Sequence, residues 1–292
     1  MTLFVETARP KVNLTLRILG RRADGYHALE SLVAFADGPA DIVSLDCGEP
    51  RGITVTGPFA GGIAGPNLLA TVLELASAAA PAGSELRLGH VRLAKTLPVA
   101  AGIGGGSADA AALLRAVRRA NPDAAAAIDW HAIALRLGAD VPVCLLDRAA
   151  FMTGIGDNLQ PIARLPGLPA VLVNPQVAVP DDKTAQVFRR LGAPQLSGPE
   201  LGPEPPGQLT RDALIELIDG GNDLEAAARR VVPAIGAVLE ELRASSRCRV
   251  AAMSGAGPTC FGIFDDMDDA KDAAEALAVA RPRWWVAASV LG

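Results

Sequence analysis

The chain has one tyrosine, Tyr26, and only three histidines and four cysteines among its 292 residues. His27, His90 and His131 stand at no metal-binding spacing, so no protein metal cage is expected and no residue is assigned as a metal ligand. Cys47, Cys144, Cys248 and Cys260 lie far apart, without a Cys-x-x-Cys pair. A zinc ribbon and a disulfide framework are both unsupported, and a reducing, cytoplasmic setting is expected. No apolar run is long enough to cross a bilayer, and Glu6 interrupts the apolar start of the chain, so no membrane partner is expected. The formal net charge of -5 gives no basic field, which disfavours a nucleic-acid partner. Half of the residues are apolar and a fifth are charged, as in ordinary soluble proteins. The length suits two core-bearing domains, divided here at 155/156 into residues 1–155 and 156–292.

Alternation of apolar and polar residues predicts strands at 12–19, 42–45, 53–56 and 86–93. Apolar or alternating runs predict further strands at 170–173, 250–253, 260–264 and 284–290. Helical periodicity follows Asn67, with Leu68, Val72 and Leu75 on one stripe. More helices are expected at 108–120, 130–137, 182–191, 211–219, 223–230, 233–244 and 268–280. Residues 192–208 hold five prolines and four glycines and read as a mobile surface loop. Strands and helices interleave without a strict βαβ rhythm, so the fold class is α+β in two lobes.

The stretch PVAAGIGGGSADAAA, 98–112, places Gly102, Gly104, Gly105 and Gly106 just ahead of a serine. The dinucleotide fingerprint fails at Ser107, the P-loop lysine is missing, and Asp109 breaks the nucleophile-elbow pattern. A strand pattern precedes the loop and an Ala-rich helix follows, with Ser107 as expected N-cap and Asp109 in the first turn. Such a loop offers backbone N–H groups to a phosphate, and it also reads as a flexible connector or tight turn.

The glycine stretch resembles the phosphate loop of the GHMP small-molecule kinases. ARPKVNLTLRILGRRADGYHALESLVAFAD, LGADVPVCL, FMTGIGDNLQPI, the NDLE at 222–225 and SGAGPTCFGIF resemble, in the same order, segments of the 4-diphosphocytidyl-2-C-methyl-D-erythritol kinase family. The match spans nearly the whole chain. It implies the two-lobed GHMP kinase fold, with a ribosomal protein S5-like N-terminal lobe and a ferredoxin-like C-terminal lobe.

By that resemblance Asp140 is the base that accepts the hydroxyl proton and Lys11 its cationic neighbour. Asn67, Lys95, Pro98, Gly102, Gly104, Gly105, Gly106 and Ser107 bind ATP. Asn13, Tyr26, His27 and Phe188 bind a cytidyl diphosphate alcohol, Tyr26 by stacking and His27 at the base edge. Rival readings of the residues stay open. Asp140 is either that base or the cap of a turn. Phe188 is either a second stacking face or a core contact, and Asn67 doubles as a helix cap. SGAGPT is either a support for Lys11 or a sharp β-turn without ligand. Asn13, two residues on from Lys11, faces the same side of a strand and either positions the lysine or binds substrate.

The sequence departs from the family pattern at Ala108, where a second serine is common, at Asp157 for glutamate, and at Ala256 for Ser or Thr. With no hydroxyl at Ala108, Mg²⁺ is expected to be held mainly by phosphates and water. The implied activity is ATP-dependent phosphorylation of the 2-hydroxyl of the cytidyl substrate, in the non-mevalonate isoprenoid pathway, by a monomer or weak homodimer. The alternatives are a homoserine- or mevalonate-type kinase, in which the ADGYH stretch would have no cytosine to hold, and a catalytically silent nucleotide-binding regulator.

Overall fold

The computed structural model describes residues 2–62, 67–198 and 209–292. The strands among them are, in chain order, β1 (Leu3–Ala8), β2 (Lys11–Asn13), β3 (Arg17–Arg21), β4 (His27–Asp37), β5 (Asp41–Asp46), β6 (Gly52–Thr56) and β7 (His90–Ala94). They continue with β8 (Ala150–Thr153), β9 (Asn158–Pro161), β10 (Leu168–Asn174), β11 (Cys248–Met253), β12 (Cys260–Phe264) and β13 (Trp285–Leu291). The helices are α1 (Leu68–Ala78), α2 (Gly105–Ala120), α3 (Pro122–Ala125), α4 (Trp130–Leu137) and α5 (Val141–Leu146). After them come α6 (Lys183–Leu191), α7 (Arg211–Asp219), α8 (Glu225–Val231), α9 (Ala234–Ala244) and α10 (Met267–Ala280). The class is α+β, as the interleaved sequence pattern predicts. No helix among the described residues is long and apolar enough to cross a membrane.

Contacts divide the chain into two units that interleave along the sequence. One comprises Met1–Pro10, Pro39–Val99 and Gly104–Asp147; the other comprises Lys11–Gly38, Ala100–Ile103 and Arg148–Gly292. The division at 155/156 follows the order of sequence segments, whereas strand pairing decides the units: β4 pairs with β8 and β13 far along the chain.

The first unit is a four-stranded sheet in the order β1-β5-β7-β6, antiparallel except for the parallel β6–β7 pair. Val43, Leu45, Val91 and Leu93 point inward at every second position. Against them lies α2, whose Ala110 and Ala111 let the backbone approach while Leu113, Leu114 and Val117 are fully buried. Each of the two leucines contributes roughly 1.5–3 kcal/mol by leaving water. In α1 the buried stripe is Leu69, Val72, Leu73 and Ala76, one position on from the expected Leu68 and Leu75. Asn67 caps that helix, its Oδ1 accepting from Leu69 N at 3.0 Å. The strand expected at 86–93 begins only at His90.

The second unit is a nine-stranded sheet ordered β11-β12-β10-β13-β4-β8-β9, with β2 and β3 both paired to β4. Both faces are covered. Leu168, Ala170 and Leu172 of β10 pack with Leu214 and Ile218 of α7, while Val171 and Val173 pack on the opposite face with α8, α9 and α10. β13 lies inside the sheet, between β10 and β4. The strand expected at 12–19 is broken into β2 and β3, because Leu14 N and Thr15 N both reach Leu32 O, at 2.8 and 3.4 Å. Two residues opposing one is a bulge, and hydroxyls repair the ladder there. Thr15 Oγ1 accepts from Leu32 N at 3.0 Å, and Ser31 Oγ donates to Thr15 O at 2.6 Å. The loop expected at 192–208 lies outside the described residues from 199 onward.

Candidate active site

Bulging after β2 leaves its two polar side chains, Lys11 and Asn13, together in the interior. Both are buried, and Lys11 Nζ donates to Asn13 Oδ1 at 2.8 Å. Asn13 is fixed in turn: its Nδ2 donates to Ser31 Oγ at 2.7 Å, and its backbone N donates to Ser254 Oγ at 3.1 Å. Ser254 Oγ donates onward to Gly102 O at 3.0 Å. Within the SGAGPT segment, then, a serine holds the Lys11 strand, and Asn222 holds the segment by donating to Met253 O and Gly255 O, both at 2.8 Å. A lysine so oriented presents a fixed cation rather than a wandering one.

Four consecutive carbonyls of the glycine loop are tied down within this unit. Ala100 O accepts from Lys183 Nζ at 3.0 Å and Ala101 O from Thr259 N at 3.0 Å. Gly102 O accepts from Ser254 Oγ, and Ile103 O from Lys11 N at 3.0 Å. With an acceptor bond at each, these four carbonyls are held in fixed directions. Ala100 sits at φ 54 and Gly102 at φ 80. The left-handed region costs a residue with a Cβ about 1–2 kcal/mol. At Gly102 a Cβ would also fall 2.6 Å from Gly257 O, so glycine is required there.

The loop continues into α2, whose N-cap residue is Gly104 at φ 64, not Ser107. Left-handed Gly104 turns the chain three residues before the serine, so Ser107 occupies the third helical position. No side chain caps this helix, and a Cβ added at Gly106 would meet nothing. The first-turn N–H groups of Gly105, Gly106 and Ser107 lack intrahelical partners by geometry and form an open anion cradle.

Below that turn lies an ion cluster. Buried Lys95 Nζ contacts Asp41 Oδ2 at 2.5 Å and Asp109 Oδ2 at 2.6 Å, and a Cβ at Gly105 would stand 3.4 Å from the same nitrogen. Asp109 is thus not a first-turn surface carboxylate but a buried partner of Lys95. Asp41 Oδ1 also accepts from Thr96 N at 2.5 Å and Leu97 N at 2.8 Å, which fixes the carboxylate against the start of the loop. Burial pushes Lys95 down, and the two carboxylates outweigh it, raising its pKa overall. Burial also pushes the Asp109 carboxyl up to about 7, against the pull of Lys95 and with the help of Asp41. Its Oδ1 is buried without a hydrogen-bond partner.

Because the folded pKa of Asp109 is raised, its stability contribution is full below the ordinary value of 3.8 and is lost as pH rises through about 7. Asp109→Asn removes this titration. The melting temperature of the variant minus that of the wild type is expected to rise with pH across that window. A flat difference would exclude the shift.

Asp140 precedes α5 and is partly buried, and its side chain makes no capping bond to that helix. Tyr26 stands at the tip of the β3–β4 hairpin and is 62% exposed. The turn beneath it is closed by Arg22 N donating to Tyr26 O at 2.8 Å, and by Tyr26 N donating to Asp24 Oδ1 at 3.0 Å. Next to it, His27 stacks on Phe188 of α6, ring centroids 4.7 Å apart and planes 29° off parallel. Phe188 packs against the core as well, so it is both a core contact and part of an aromatic group. Burial, then the nearby Arg21, lowers the His27 pKa and favours the neutral ring, which can donate and accept.

Sequence reasoning missed Asp41, Ser31, Ser254, Asn222 and Lys183 as members of these networks. A signal for Lys183 existed. The chain has four lysines, Lys11, Lys95, Lys183 and Lys271, against 23 arginines. Three of the four are buried, and only Lys271 is exposed.

Residues 67–153 match the GHMP kinases N-terminal domain model, and residues 209–281 match the GHMP kinases C-terminal model. A 4-diphosphocytidyl-2-C-methyl-D-erythritol kinase of Methylobacterium radiotolerans is 50% identical over 100% of both chains. The chain belongs to the 4-diphosphocytidyl-2-C-methyl-D-erythritol kinase family. A solved 4-(cytidine 5'-diphospho)-2C-methyl-D-erythritol kinase shares 37% identity with a TM-score of 0.75, covering 99% of each chain. Homoserine kinase of Cytophaga hutchinsonii, at 16% identity and a TM-score of 0.64 over 99% of this chain and 95% of its own, shares the fold alone. The two units therefore build the GHMP kinase fold, and the chain is a kinase of that family.

Proposed function

We propose that this kinase transfers the γ-phosphoryl group of ATP to the 2-hydroxyl of 4-diphosphocytidyl-2-C-methyl-D-erythritol. The fixed, buried Lys11–Asn13 pair carries this reading, because mere nucleotide binding needs no buried lysine held in one orientation by an amide. ATP phosphates lie on the Pro98–Ser107 loop, facing the N–H groups of Gly105, Gly106 and Ser107, with Asn67 and Lys95 completing the nucleotide end. The charge of Lys95 is already matched by Asp41 and Asp109, so its role is to hold the cradle from below. Mg²⁺, held mainly by phosphates and water, would neutralise charge on the triphosphate.

Asp140 takes the proton of the 2-hydroxyl as its oxygen bonds to the γ-phosphorus. Lys11 stabilises the developing alkoxide, and Asn13 keeps that ammonium in place. The bond from the γ-phosphorus to the bridging oxygen breaks, and ADP leaves. Tyr26 supplies a flat face for cytosine, and neutral His27, steadied by Phe188, offers a ring nitrogen to the base edge.

ADP release with the cytidyl substrate, compared with homoserine and mevalonate, tests the assignment. Turnover of homoserine or mevalonate without turnover of the cytidyl substrate overturns it. Tyr26→Ala is expected to raise KM for the cytidyl substrate roughly 5- to 100-fold, the loss of one base stack, and to leave KM for ATP nearly unchanged. An equal rise in both would remove Tyr26 from the cytosine site.

A further inference from the structure

In an arginine-rich chain, lysine survives at few positions, and two of the three buried ones already have work. The third, Lys183, is the first residue of α6 and is 4% exposed. Its Nζ donates to Ala100 O, in the glycine loop, and to Gly257 O, in the loop after Ser254. Among the described residues no carboxylate contacts it. Burial alone lowers its pKa to about 8, with no acidic partner to offset that cost. An uncompensated buried cation is expensive and is kept where its hydrogen bonds matter.

Those bonds are made to two backbone acceptors that must both stay put. Ala100 opens the row of four tied carbonyls and holds a left-handed φ that its side chain disfavours. Gly257 O lies 2.6 Å from where a Cβ on Gly102 would sit, so the two backbones are packed closely and its position bears on Gly102. The remaining three carbonyls are held by Thr259 N, Ser254 Oγ and Lys11 N. Lys183 is thus the one charged side chain in the row, and it secures the end from which the loop enters. Arginine is not an equivalent: its planar guanidinium is larger and spreads its donors over a fork, where lysine brings one compact ammonium to both carbonyls.

We infer that Lys183 is a positioning residue for ATP, clamping Ala100 to Gly257 so that the glycine loop presents its N–H groups to phosphate. The inference rests on the kinase reading only in placing ATP on that loop.

The test uses the full chain and the variant Lys183→Met, with ATP affinity measured by calorimetry and KM values measured for both substrates. ATP is expected to bind at least about tenfold more weakly, KM for ATP to rise in parallel, and KM for the cytidyl substrate to stay within about twofold. Lys183→Gln, which keeps an amide donor without the charge, is expected to fall between the two. Wild-type affinity for ATP in folded Lys183→Met overturns the inference, as do equal rises in both KM values. If Lys183→Met does not fold, Lys183→Gln is judged by the same criteria, and failure of both to fold assigns a structural role alone and overturns the proposal. Absence of wild-type turnover of the cytidyl substrate would fault the kinase reading instead, while the ATP titration still decides the role of Lys183.

Discussion

Asp140→Asn is expected to lower kcat by about 10²–10⁴-fold while leaving ATP affinity near that of the wild type. The amide is nearly the same shape but cannot accept the hydroxyl proton. Asp140 makes no capping bond to α5, so the substitution removes no helix cap. Single-turnover rates and ATP titration separate the two effects. Near-normal kcat would mean that another group takes the proton, or that none is needed in so loose a transition state.

Lys11→Met is the second large effect. Losing a fixed cation beside the developing alkoxide should cost about 10²–10³-fold in kcat, the scale seen when one preorganised stabilising group is removed. This variant also leaves buried Asn13 Oδ1 without the donor it has now, at about 1–3 kcal/mol of stability. Rate and stability must therefore be measured together. A fall in melting temperature with unchanged kcat would make Lys11 a purely structural partner of Asn13. Lys11→Arg should not rescue the rate, because the guanidinium is planar and longer and its Asn13 contact cannot be reproduced.

What could be read in the sequence was whatever produced a period. Half-buried strands such as β5 alternate and are visible; β4 is not, because Leu32–Ala36 is buried without interruption and looks like any short apolar run. The break between β2 and β3 was hidden for a different reason: the hydroxyls that permit it, Thr15 and Ser31, are sixteen residues apart. Glycine spacing announced a phosphate loop but not its start, since Gly104 turns the chain ahead of the more conventional cap at Ser107. Lys11, Tyr26 and Asp140 were found by family likeness. Asp41 and Lys183 act through tertiary contacts that no local pattern encodes, although the scarcity of lysine pointed at Lys183.

The place of β13 has a consequence for how the chain is made. β11, β12 and β10 form one set of strands and β4, β8 and β9 another, and among the described residues β13 alone joins them, pairing with β10 along 168–174 and with β4 at Ala36 and Asp37. During synthesis both sets emerge before residues 285–291 exist. Each then carries an open edge, the kind of surface that invites pairing with another nascent chain. The seal is non-local and late, so completion of this unit waits on the ribosome rather than on the speed of local folding.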